Sequence, residues 1–133
     1  MPNVVNKPWG REVILTTPSL PYNGKLLYIN AGSRISLQYH DQKTETLSLL
    51  SGSATITQGS AIDQLTTTPM VIQQGYTITP NTIHRLAAET DSLILEVSTP
   101  EAGTTFRLED DYQRLDETES VRSSDNRGWQ NEP

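Results

Sequence analysis

Ser36-Leu37-Gln38-Tyr39-His40-Asp41-Gln42-Lys43-Thr44-Glu45 is the stretch on which the reading of this chain turns. Residues two apart on an extended strand project to the same face, so Gln38 and His40 stand side by side. Asp41 to Thr44 form a polar turn, and a strand returning from it brings the Glu45 carboxylate back beside them. His84 follows the turn pair Pro80-Asn81 and supplies a fourth donor from a later strand. Either imidazole taken alone reads as a surface or satisfied core histidine. The chain has only two histidines, however, and both fall in this set. The order Gln, His, Glu, His reads as the donor set of a metal site.

Alternation on either side of this stretch assigns the faces. Arg34, Ser36, Gln38 and His40 share one face of their strand, and Ile35, Leu37 and Tyr39 the other. A polar face turned inward is costly unless it binds something. Glu45 shares its side with Leu47 and Leu49 and is therefore aimed into the core. His84 goes with Leu86, which leaves Arg85 on the opposite face.

Segments rich in Ile, Leu, Val, Thr and Tyr recur at 11–16, 25–30, 33–40, 45–51, 53–58, 64–67, 70–72, 76–78, 84–88 and 93–98, separated by Gly, Pro, Asn and Asp. No helical period interrupts them, and the rhythm predicts an all-β barrel or double-sheet jelly roll. After Pro100 the character changes. Residues 1–114 read as one domain with an N-terminal arm, and 115–133 as a charged, Ser-rich tail, disordered in solution. Trp129 is the tail's one conspicuous apolar residue, a candidate for docking on a neighbouring surface.

Composition narrows the function. At 133 residues and 14.8 kDa the chain has the size of one domain, and with 34% hydrophobic and 6% aromatic residues its core must be compact. A net charge of -6 and a pI near 4.8 argue against nucleic acid or an anionic membrane as partner. No apolar stretch is long enough to span a bilayer, and the first residues lack the build of a signal peptide, so a cytoplasmic protein is expected. With no cysteine, any metal must be held by nitrogen and oxygen.

The metal residues lie in a longer pattern, Gly32-x5-Gln38-x-His40-x4-Glu45-x6-Gly52 followed by Gly75 through Pro80-Asn81-x2-His84. This resembles the two motifs of the cupin superfamily, with Gln38 where a histidine is commoner. The Gln-x-His form is similar to the small cupin domain of type II phosphomannose isomerases. Lys7-Pro8-Trp9-Gly10, Lys25, His84-Arg85-Leu86, Glu96-Val97 and the run Leu108 to Arg114 extend the resemblance over Lys7 to Arg114. Lys43 stands where the family carries arginine, Thr46-Leu47 where it carries His-Trp, and Asn81 where glycine is usual. Lysine cannot reproduce arginine's two-pronged grip on an anion, which bears on the substrate more than on the fold.

The resemblance implies a cupin-type double-stranded β-helix, a homodimer, and an aldose–ketose isomerase that uses one divalent ion to disperse charge on the sugar oxygens. Zinc suits the donors Gln38, His40, Glu45 and His84, and manganese, iron, cobalt or nickel fit the same shell. A proton carrier is needed as well. Lys25 is one candidate, being on the face of Leu27 and Ile29, where an apolar wall and a metal would lower its pKa; the alternative is a snorkelling surface lysine. Glu96 is another, in the apolar strand 93–97, unless it faces outward. Arg85 either binds a phosphate or pairs with the acidic segment Glu109 to Asp111. The partner is then a small sugar or sugar phosphate. A non-catalytic cupin binding a sugar or nucleotide sugar is the alternative, and a metal-dependent oxygenase a more distant one.

Overall fold

The computed structural model describes residues 3–124. Eleven strands and one short helix follow in order: β1 (Asn3–Lys7), β2 (Gly10–Ile14), β3 (Asn23–Ile29), β4 (Leu37–His40), β5 (Glu45–Ser51), β6 (Ala54–Gly59), β7 (Thr66–Pro69), β8 (Gly75–Ile78), β9 (Ile83–Ala88), β10 (Ser92–Ser98), β11 (Thr105–Glu109) and α1 (Glu119–Arg122). They form a six-stranded sheet, β1-β2-β3-β10-β5-β8, and a five-stranded sheet, β11-β4-β9-β6-β7, with antiparallel pairing throughout. This is a double-sheet jelly roll, as the strand rhythm predicts.

Period-two burial builds the core. On β5, Glu45, Leu47 and Leu49 are buried between more open neighbours; on β10, Ser92, Ile94, Glu96 and Ser98 are. Lys25, Leu27 and Ile29 turn inward together on β3. One cluster containing Trp9, Leu27, Ile29, Ile35, Leu47, Ile56, Leu86 and Ile94 fills the space between the sheets. Gly10 permits the closest approach in the sheet: a Cβ there would stand 1.8 Å from the Tyr28 carbonyl oxygen.

The structure differs from the strand reading at four places. Two strands at the ends of their sheets, β1 and β11, are not foreseen by the reading; β1 is largely polar, and β11 has only Phe106 and Leu108 as an alternating apolar pair. Residues 70–72 form no strand; Ile72 makes only a single bridge to Leu49. The segment 33–40 is not one regular strand, because the pairing with β9 slips by one residue between Arg34↔Ala87 and Gln38↔His84. That extra residue turns Arg34 outward to Asp111, away from Gln38 and His40, and lets Ile35 join the core. It acts as a β-bulge.

Contacts continue past residue 114. Thr105 and Glu117 exchange two backbone hydrogen bonds of 2.9 Å, and Glu117 is buried. Thr118 caps α1 by accepting from Val121 N–H, and Arg122 reaches back to the Gly103 carbonyl. Trp129 lies outside the described residues. Among those described, no helix is long and apolar enough to cross a membrane.

Candidate metal centre

Three elements converge inside the barrel. His40 ends β4, Glu45 begins β5, and His84 is the second residue of β9, so the five-stranded sheet supplies both imidazoles and the six-stranded sheet the carboxylate. The turn before β9 is fixed by Asn81, whose φ of 66° is tolerated by asparagine and whose N–H donates to the His40 carbonyl at 2.7 Å. Asparagine thus fills a place where glycine would be conformationally equivalent.

The donor atoms of His40, Glu45 and His84 all lie within 4.8 Å of one another, and all three residues are buried. His84 Nδ1 lies 2.9 Å from the Thr82 carbonyl oxygen and must donate to it, which leaves the lone pair on Nε2. That nitrogen stands 3.1 Å from Glu45 Oε1 but makes no hydrogen bond there or elsewhere among the described residues. His40 Nε2 is 3.6 Å from the same oxygen, with Nδ1 held 2.8 Å from the Thr105 hydroxyl. Lone pairs aimed at one small volume repel unless a cation stands between them, so the donor set fits a metal ion. Gln38 adjoins it: its amide nitrogen is 3.5 Å from His40 Nε2, while Ser36 Oγ donates to its oxygen. Burial holds His40 below the ordinary imidazole value against the pull of Glu45, which keeps it neutral and able to ligate. Burial pushes the Glu45 carboxyl up, yet the Lys43 ammonium beside it holds Glu45 well below the usual carboxylate range.

Behind the triad lies a buried charge network. Lys43 Nζ is 3.1 Å from Glu45, 3.0 Å from Glu96 and 3.2 Å from Glu101. Lys25 pairs with Glu101, lies 3.5 Å from Glu12 and 4.0 Å from Glu96. Glu96 therefore faces inward, on a strand paired to both sides. Burial raises its pKa above the ordinary value, with Lys43 opposing. For Lys25 the expectation of a lowered pKa is corrected: burial does push it down, but Glu12 leads a set of carboxylates that raise it above the ordinary lysine value.

Arg85 does not join this group. Its guanidinium donates to the Ile35 carbonyl at 2.9 Å and to Glu109 at 2.9 Å, on the other face of β9. Several lining residues escaped the sequence reading: Thr105, Glu12, Glu101 and Arg107. Thr105 and Arg107 lie on a strand that was not foreseen, although their spacing of two would have placed them on one face once β11 was known. The cavity has a volume of about 60 Å³, room for several waters or the reacting end of a small polar molecule.

The fold recurs in solved structures. KdgF from Halomonas sp. superposes with a TM-score of 0.62 at 14% identity, covering 75% of this chain and 89% of that one. Oxalate decarboxylase from Bacillus subtilis at pH 4.6 gives 0.69 at 17% identity, covering 80% of this chain and 30% of that one. The capsular polysaccharide assembling protein CapF from Staphylococcus aureus gives 0.62 at 12% identity, covering 87% and 32%. At these identities the likeness is one of fold. No curated protein matches the sequence. The sequence itself narrows the fold to one family: the mannose-6-phosphate isomerase C-terminal family matches residues 1–117, and this chain, a cupin in architecture, belongs to it.

Proposed function

We propose that the protein is a metal-dependent aldose–ketose isomerase acting on a sugar phosphate, with His40, Glu45 and His84 holding one divalent ion and Gln38 joining them through its amide oxygen once the amide turns from Ser36. The observation that carries this reading is the chain of contacts that links a buried imidazole nitrogen without a hydrogen-bond partner, His84 Nε2, through Glu45 and Lys43 to the buried carboxyl of Glu96. A bound divalent ion would supply Lewis acidity to disperse negative charge on the sugar oxygens.

The chain's own residues do the rest. Glu96 is the proton carrier on this reading: it is a buried carboxyl lining the cavity, and burial raises its pKa above the ordinary carboxyl value, which strengthens it as a base. Lys43 spans Glu45 and Glu96 and fixes one relative to the other. Lys25 anchors Glu101, Glu12 and Glu96 from behind and is a positioning residue, being too well held as a cation to serve as base. Two imidazoles with a carboxylate favour zinc, and the resemblance to cupins favours a homodimer.

The test is metal reconstitution of chelated protein, followed by NMR detection of hexose-phosphate interconversion in deuterated water. The expected result is interconversion restored by metal, with deuterium entering the carbon next to the carbonyl. A metal-loaded wild type that binds a sugar ligand saturably yet interconverts no sugar phosphate would establish the non-catalytic binding reading instead.

A further inference from the structure

Five cations line the cavity: Lys7, Lys25, Lys43, Arg107 and Arg114. Four of them have carboxylate partners. Lys7 lies 3.8 Å from Glu12, Lys25 and Lys43 share the network described above, and Arg114 holds Asp110 through hydrogen bonds of 2.9 and 3.1 Å. Arg107 differs. Among the described residues no carboxylate stands at ion-pair distance from it; Nη1 donates to the Leu115 carbonyl, and Nε is buried with no acceptor. The nearby Asp116 carboxylate is used instead by the Arg107 backbone N–H, at 2.8 Å. Glu117, Asp110 and Asp116 act on this guanidinium only from beyond ion-pair distance, while burial and Arg114 oppose its charge, and an anion from outside would relieve it.

Register shows where that anion would lie. Arg107 pairs with Gln38 across β11 and β4, and Gln38 pairs with His84 across β4 and β9. Directly opposed residues carry their side chains on one face, so Arg107 stands one strand from Gln38 on the metal side of the sheet. Two residues earlier on β11, Thr105 braces His40 from that face. Charge sets the sign of the ligand. The five lining cations face five lining glutamates and Asp110, which is bound to Arg114, so a divalent ion would leave a net surplus of positive charge. A phosphate monoester carries close to two negative charges at neutral pH and presents oxygens that match the guanidinium fork.

We propose that Arg107 is the anion anchor of this site, a specificity-determining residue that takes the phosphate of a phosphorylated sugar whose other end reaches His40, Glu45 and His84. The identity of the sugar rests on the isomerase reading; the anchor does not.

The test uses metal-loaded wild type, Arg107→Met and Arg107→Lys, with calorimetric titration of mannose 6-phosphate and of mannose, and chelator competition for the metal. Arg107→Met should bind mannose 6-phosphate roughly 30- to 100-fold more weakly while metal affinity and mannose binding stay within about 3-fold of wild type. Arg107→Lys should fall between, keeping the charge without the fork; if Arg107→Met does not fold, this variant alone supplies the comparison. A variant that keeps the wild-type preference for the phosphorylated sugar would overturn the anchor and leave the isomerase reading intact. Wild type that binds both sugars equally would overturn the anchor also. Wild type that strongly prefers mannose 6-phosphate through Arg107 but never interconverts it would support the anchor and overturn the isomerase.

Discussion

The Thr105 hydroxyl lies 2.8 Å from His40 Nδ1, and an imidazole held on that side presents its other nitrogen toward Glu45. Groups that orient a ligating histidine typically change metal affinity when removed, so Thr105→Val should weaken binding by roughly 10- to 100-fold in a chelator competition. His84→Ala should weaken it further, since a donor itself is lost; unchanged affinity in that variant would end the metal hypothesis. Lys25 now carries a different prediction from the one its sequence position suggests. Replacing it with Met strips the shared partner from Glu12, Glu96 and Glu101, and should cost about 3–5 kcal/mol in urea unfolding before any question of turnover arises. The spacing of Gln38, His40 and Glu45 could be read from the sequence because period-two geometry and a short turn fix it locally. The partners of Lys25 and Lys43 could not, because Glu12, Glu96 and Glu101 come from distant segments that only the closed barrel brings together.

At the level of the strand, Gly10 and Asp110 offer separate checks. Gly10→Ala would drive a methyl into the Tyr28 carbonyl and break the β2–β3 ladder, with an expected cost of about 3 kcal/mol or more by denaturant midpoint. Burial pushes the Asp110 carboxyl up, but hydrogen bonds from Arg114 outweigh it and set its folded pKa below the unfolded 3.8. The pair therefore contributes stability above pH 3.8 and loses it as pH falls through the folded value. Asp110→Asn should lower stability by about 2 kcal/mol at neutral pH, and the gap from wild type should close in acid. The central strands β5 and β10 were plain in the sequence because each buries every second residue against the opposite sheet. Arg34 was misassigned for a physical reason: alternation carries no mark of the added residue that shifts the register before Gln38. With β1 and β11 the difficulty lies in composition. Asn3–Lys7 owes its extended shape to the strand beside it, and Thr105–Glu109 shows only a two-residue apolar face, Phe106 and Leu108, too short to stand out in an acidic, mixed segment.

Across the whole molecule, the candidate metal donors belong to both sheets, His40 and His84 to one and Glu45 to the other. An ion bound there ties the sheets together, and because it binds only the folded protein it should raise the unfolding free energy by about 2.7 kcal/mol at a concentration a hundred times its Kd. Calorimetry with and without chelator reads this, and identical thermal midpoints would argue against a site spanning the sheets. Composition alone suggests that removing residues 115 onward leaves the barrel untouched. The paired hydrogen bonds between Thr105 and Glu117 argue the reverse: truncation after Arg114 should loosen β11, lower metal affinity and lower the midpoint together. The same strand has a bearing on synthesis. All four proposed donors precede residue 105, so a ribosome releases every metal-binding side chain before it releases the threonine that steadies His40. An ion captured by the emerging chain would meet ligands that are still free to rearrange, and selection among competing metals in the cell is then settled only after β11 has docked.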